Sequence, residues 1–367
     1  MDRGDPARLV GVDGGASTVR AWRLERGPSG LAAAGPAARR PFPTDPPFLP
    51  VPLARQLAER AEGSPRLGAA EEARGELVLA AAAEAIAAVA GPPPADLVLG
   101  IAMPGLPDAG GRGILVLRHG ARLPRFLDRL AARLAERGLG LAGAPARLVA
   151  DGRAAGFGEA YAAGGALVGV GTALYMAGGT GVADALRLGG RFPPGAEVRR
   201  WLPAAWQLSG PGGRPFEDLV SMAGINARWA ERSGATEPRV EAAARSGDGR
   251  ARAVLAEAAG HLAAFLAARL AALHRGPLRG GRGEVERLVL GQRTADLFLA
   301  PDLAPWFAAP LEKRLAEELR AEEDPRMRAA YLARGALRPG LLVASALHAA
   351  PAAGAVAAAL GLVEGEP

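Results

Sequence analysis

The chain of 367 residues has no cysteine, a single lysine (Lys313), and few aromatic side chains, 5% of the total. Without thiols there are no disulfides and no thiolate-bound zinc. The four histidines, His119, His261, His274 and His348, lie far apart with no metal-ligand spacing, so no zinc is expected. No run of about 18 apolar residues free of charge and proline occurs, and no membrane span is expected. Residues 346–363 come closest, but His348, Pro351 and Gly354 interrupt them. A basic-then-apolar leader is also missing at the N-terminus, which makes the cytoplasm the expected compartment.

The net charge is +6. A basic balance is the footprint of nucleic-acid binding when it is clustered. Here the arginines are dispersed among acids, and arginine for lysine throughout, with abundant alanine, is the pattern of a GC-rich genome. No nucleic-acid partner is expected. Hydrophobic residues make up 49% and charged residues 22%, the balance of a soluble globular chain long enough for two domains.

One pattern is written twice. Leu9–Asp13 runs as an apolar strand into Gly14-Gly15-Ala16-Ser17-Thr18 and leaves on a second strand. Ala173–Ala177 runs into Gly178-Gly179-Thr180-Gly181 and leaves in the same way. Glycine lets backbone N–H groups approach an anion with no Cβ in between, and the hydroxyls of Ser17, Thr18 and Thr180 add donors. Asp13 could hold Mg²⁺ through water, since that ion keeps much of its hydration. An ordinary Asp-Gly hairpin turn explains the first motif as well, and a structural role explains Asp184 on the second.

The rest of the pattern alternates strands and helices. Residues 35–50, rich in proline and arginine, read as irregular. Helices are expected over 51–62, 69–90, 126–137, 154–163, most of 216–275 and on to 333, with an alanine-rich helix closing the chain. Short strands are expected at 97–103, 113–117, 147–150 and 287–290, and residues 193–215 read as a loop. The implied class is α/β with two sheets: domains at 1–150 and 151–340, with the helix of about 340–367 packing back on the first. Asp151 then ends a strand beside a helix start. It could accept a proton from a substrate hydroxyl, or act as a plain N-cap. Glu217 opens a helix, where the dipole favours an acid.

These pieces, in this order, resemble the ROK (repressor, ORF, kinase) family of bacterial sugar kinases, part of the actin-like, hexokinase-like ATPase superfamily. The resemblance runs from Gly11 to about Leu360. Gly11-Val12-Asp13-Gly14-Gly15 is similar to the first phosphate motif and Gly179-Thr180-Gly181 to the second. Gly100–Asp108 resembles the family's Pro-Gly stretch, and Asp151–Ala160 the segment that opens with the catalytic Asp. Glu217–Gly224 resembles the acidic residue and helix after the zinc loop, and Leu288-Val289-Leu290-Gly291 the adenosine-side strand and glycine.

The resemblance implies two actin-like ATPase (ribonuclease H-like) domains around a nucleotide cleft. It further implies ATP with Mg²⁺, Asp151 as base on a sugar hydroxyl, a small-molecule substrate and a homodimer. Phosphate contacts fall to Gly14, Gly15, Ser17, Thr18, Gly178, Gly179, Thr180 and Gly181, with Gly291 on the nucleotide side.

The chain departs from the family in several places. Gly15-Ala16-Ser17-Thr18 replaces Gly-Gly-Thr-Lys, Ala150 replaces an Asn, and the cysteine-rich loop is absent. The family's sugar-contacting Glu and His fall on Leu202 and Ala205, and its Asn on Arg122. Arg122, Glu197 and Glu217 are therefore the substrate-side candidates. Two readings compete with a sugar kinase. One is a catalytically degenerate member that senses a nucleotide or ligand. The other is a relative with another acceptor, such as an amino sugar; an acyl-CoA-linked ATPase subunit would need cluster-binding cysteines.

Overall fold

The computed structural model describes residues 7–43, 48–63, 65–142, 147–237, 239–280 and 283–363. Two compact units emerge, one from Met1–Val168 with Ala349–Glu366 and one from Gly169–His348. The division falls after Val168, not after residue 150, because the helix opening at Asp151 packs inside the first unit.

The first unit runs β1 (Arg8–Gly14), β2 (Thr18–Gly27), β3 (Gly30–Ala33), β4 (Ala38–Pro41), α1 (Leu53–Ala61), α2 (Ala69–Ala90) and β5 (Ala95–Met103). It continues through β6 (Leu106–Pro107), β7 (Ile114–Val116), α3 (Phe126–Ala135), β8 (Leu139–Leu141), β9 (Leu148–Ala150) and α4 (Asp151–Tyr161). The last helix of the chain, α13 (Ala350–Ala359), returns to it. The main sheet is ordered β3-β2-β1-β5-β8, with β4 beside β2 and β9 beside the end of β5. β1 pairs antiparallel with β2 and parallel with β5, and β5 pairs parallel with β9.

Alternation along β1 decides which helix covers which face. Val10 and Val12 join Ala21, Leu99, Ile101 and Ile86 of α2 in one core. Gly11 and Gly100 point the other way, where α13 lies so close that a Cβ at Gly11 would sit 2.5 Å from the Ala352 carbonyl oxygen. α13 is apolar all round and is buried on both sides, between this sheet and α4. The stretch read as irregular contains β4, whose Arg39 and Arg40 pair with β2.

The second unit runs β10 (Ala173–Gly178), β11 (Val182–Arg187), α5 (Gly195–Trp201), α6 (Phe216–Val220), α7 (Met222–Ser233), α8 (Val240–Arg245) and α9 (Gly249–Arg275). After these come β12 (Arg287–Gly291), α10 (Gln292–Leu299), α11 (Ala308–Ala321), α12 (Pro325–Tyr331), β13 (Leu332–Ala333), β14 (Ala336–Leu337) and β15 (Leu342–Ala344). Its main sheet is ordered β11-β10-β12-β15, with β10, β12 and β15 parallel. α5 forms inside the proline-rich stretch read as loop, and β13 to β15 break up a tail read as helix.

Among the described helices, α9 alone is long and apolar enough to cross a bilayer, where the sequence pointed instead to residues 346–363. It is the central helix of this unit, packed by α6, α7, α8 and α11, with Val254, Leu255, Leu262, Phe265, Leu266 and Leu270 buried.

Candidate active site

Three adjacent parallel strands place two carboxylates at one end of the first sheet. Asp13 on β1 is level with Ala102 on β5, and Ala102 is level with Val149 on β9. Asp151 follows two residues later, as the first residue of α4. Strand spacing puts the two chains about 10 Å apart. Asp13 is half-buried, and its carboxyl is pushed up to about 7: burial raises it most, Arg20 directly opposite on β2 holds it down, and the negative charge of Asp151 raises it further. Asp151 is not the N-cap of α4, a position held by Ala150; its Oδ1 accepts the Gly152 N–H at 2.8 Å.

The first turn closes with the Gly15 N–H donating to the Thr18 carbonyl at 2.9 Å. Neither Gly14 nor Gly15 takes a left-handed φ. What excludes a side chain at Gly14 is close approach, since a Cβ there would lie 2.0 Å from Met103 Sδ. Ser17 is exposed at the tip. Thr18 is buried and its hydroxyl donates to the Arg40 carbonyl at 3.1 Å, so it ties the turn to β4.

The second turn is braced from three helices. The Gly178 N–H donates to Thr294 Oγ1 of α10 at 2.8 Å, the Ala223 N–H of α7 donates to the Gly179 carbonyl at 3.1 Å, and the Val182 N–H donates to Glu217 Oε2 of α6 at 3.2 Å. Gly179 N–H closes the turn on Gly181 O at 2.8 Å. Among the described residues this leaves the amides of Thr180 and Gly181 unspent, with Thr180 exposed at the tip. A Cβ at Gly181 would lie 3.1 Å from Glu217 Oε2. Thr294 carries no sequence signal that ties it to Gly178, 116 positions away. Gly291 is fixed by packing, because a Cβ there would overlap the Tyr175 ring and lie 2.0 Å from its hydroxyl.

The substrate-side candidates are placed as follows. Arg122 is buried inside the first unit: its Nε and Nη2 donate to Glu71 at 2.8 Å each, Nη1 donates to Glu59, and Nη2 also reaches the Arg66 carbonyl at 3.0 Å. Four of five guanidinium donors are thereby used internally. These bonds hold Glu59 well below the usual carboxylate range, at about 2. Arg122 is thus an internal brace and has no free edge for a substrate. Glu217, 5% exposed, sits behind the second turn as its support. Glu197 is half-buried in the first turn of α5. Leu202 and Ala205 are buried in the apolar core. Asp184 is gripped by Arg199 and Arg269, which makes it a strand brace.

The carboxylate pair suits a hydrated Mg²⁺ better than a stripped ion. No cluster of three or more His, Cys, Asp or Glu side chains capable of holding a metal occurs among the described residues. Mg²⁺ takes one or two carboxylates together with water and phosphate oxygens, and a half-buried carboxyl that resists ionisation gains from a nearby cation.

No protein-family profile matches the sequence, and no match was found among curated proteins. Solved structures do match over nearly the whole chain. A ROK family glucokinase from Streptomyces griseus, in complex with glucose and AMPPNP, is 18% identical, with a TM-score of 0.59 over 97% of this chain and 100% of that one. A glucokinase from Parabacteroides distasonis is 18% identical, with a TM-score of 0.54 over 98% and 99%. A ROK family transcriptional regulator, a homologue of the E. coli MLC protein, is 16% identical, with a TM-score of 0.53 over 96% of this chain and 78% of that one. What the chain shares with these structures is their α/β fold.

Proposed function

We propose, on the premise of a fold shared with ROK sugar kinases, that this protein transfers a phosphoryl group from ATP to a hydroxyl of a sugar or sugar-like small molecule. The observation that carries the reading is the placement of Asp13 and Asp151 at one end of one sheet, close enough for each to feel the other's charge. Asp151 takes the proton of the acceptor hydroxyl as that oxygen bonds to the γ-phosphorus; the bond to the bridging oxygen breaks and ADP leaves. In the first unit the Gly14–Ser17 turn, and in the second the Thr180 and Gly181 amides, each offer backbone donors of the kind that bind a phosphate oxygen. Mg²⁺ held by Asp13 through water would supply the charge that neutralises the phosphates.

The test is a screen of sugars and sugar-like alcohols with ATP and Mg²⁺, read by ADP release. With an active acceptor, Asp151→Asn lowers kcat by about 10²- to 10⁴-fold. Full activity in that variant removes Asp151 from the chemistry.

A second reading is favoured by one observation: the positions where polar acceptor contacts were expected are core residues, Leu202 and Ala205, or a locked ion pair, Arg122. A site that hydrogen-bonds hydroxyls gains its selectivity from such groups. The protein would then sense a nucleotide or ligand without turnover. Calorimetric binding of Mg–ATP, with no ADP released on any acceptor in the panel, selects the sensor.

A further inference from the structure

The second unit contains a residue whose backbone works against its own side chain. Gln292 follows the last residue of β12 and adopts φ +49°, the left-handed region that favours glycine. Its side chain is half-buried and its carboxamide makes no hydrogen bond among the described residues. A left-handed residue other than glycine is uncommon, and Gln292 combines one with an unspent carboxamide.

The position gives the side chain a task. Gly291 is level with Ala177 on the neighbouring parallel strand, so Gln292 stands at the same sheet end as the Gly178–Gly181 turn. Its Oε1 lies 3.9 Å from where a Cβ of Gly179 would be, and two residues later Thr294 binds the Gly178 amide. The first turn of α10 therefore holds the turn with one side chain and leans over it with another. The unspent amides of Thr180 and Gly181 lie in that turn.

We propose that Gln292 is a nucleotide-positioning residue, whose carboxamide N–H donates to a phosphate oxygen seated on the Thr180 and Gly181 amides. The assignment rests on the phosphotransferase reading. A carboxamide supplies a donor without adding charge, and its terminal torsion turns to present either edge. The strain at φ +49° is tolerated because it aims the side chain across the turn.

Two variants test this by calorimetry with Mg–ATP and by thermal unfolding. Gln292→Gly relieves the backbone and raises Tm by a few degrees, yet weakens Mg–ATP binding by about tenfold, the size of one lost hydrogen bond to a charged group. Gln292→Glu keeps the shape but offers no donor and adds a negative charge, so it weakens binding more than Gly does. A merely structural role leaves affinity unchanged in Gln292→Gly, and that result overturns the proposal. So does a Gln292→Glu variant that binds as tightly as the wild type. A wild-type chain that binds no Mg–ATP overturns the phosphotransferase reading, and Gln292 with it; wild-type binding with unaffected variants overturns the Gln292 assignment alone.

Discussion

At Asp13 three influences meet on one carboxyl: burial, the opposite Arg20 and the like charge of Asp151. The folded value of about 7 lies above the unfolded value of about 3.9, so the folded state keeps a proton that the unfolded state releases. Stability is greatest, as far as this group is concerned, below about pH 4. It declines as pH rises through the window to about 7, where Asp13 must ionise. Asp13→Asn carries no such charge. Its stability relative to wild type rises between pH 5 and pH 8, by roughly 2 kcal/mol once solvent screening of a half-buried group is allowed for. Denaturant unfolding at the two pH values measures it, and equal pH dependence in both proteins removes the effect. Arg122 gives the opposite kind of prediction. Arg122→Ala leaves Glu71 buried without its cation and Glu59 with Arg55 alone, which costs roughly 3 kcal/mol. The loss shows in unfolding, while the nucleotide affinity of the folded fraction stays at the wild-type value.

At the scale of elements, α4 and α13 meet through glycines. A Cβ at Gly354 would lie 1.7 Å from the Ala154 carbonyl oxygen, and one at Gly158 would lie 1.9 Å from that of Ala350. Both obstacles are backbone and cannot rotate away. Gly354→Ala therefore destabilises by about 3 kcal/mol although alanine is the better helix former. Gly260 on α9 has open space where a Cβ would go, so Gly260→Ala gains up to about 1 kcal/mol. Opposite signs in urea unfolding identify the α4–α13 contact as the cause. The same contact explains why so alanine-rich a helix is ordered: its small side chains let two backbones approach, and dispersion over that interface replaces what larger side chains would give.

On the scale of the whole molecule, the first unit is discontinuous in sequence. Its sheet carries α2 on one face and α13 on the other, and α13 arrives only after the entire second unit. Truncation after His348 strips one face of β1 and β5. Hydrogen exchange then shows β1 and β5 unprotected, while α9, whose packing lies within Gly169–His348, keeps its protection. Protection of β1 in the truncated chain would show that α4 and α2 suffice to hold the sheet.

Much of the fold was legible in the residues, because period and punctuation are local. The strand-turn-strand pairs at Gly14–Gly15 and Gly178–Gly181 and the apolar run of β5 declare themselves by order and punctuation, and the long α2 and α9 by good helix formers with few breakers. The short elements did not: β4 lies in a segment dominated by arginine and proline, and only its pairing with β2 makes it a strand. At the site, the sequence identified Asp13, Asp151 and the glycine turns as the places to look, since strand ends and glycines are written in composition and order. Which side chains are spoken for was decided by contacts distant in sequence. Thr18 is used by β4, Glu217 by the Val182 amide, and Arg122 by Glu59 and Glu71. Thr294 and Gln292 come to the second turn only because β12 lies beside β10. A one-dimensional pattern fixes where the backbone turns. The partners that saturate a buried donor or raise the pKa of a carboxyl come from strands and helices that the chain brings together only on folding.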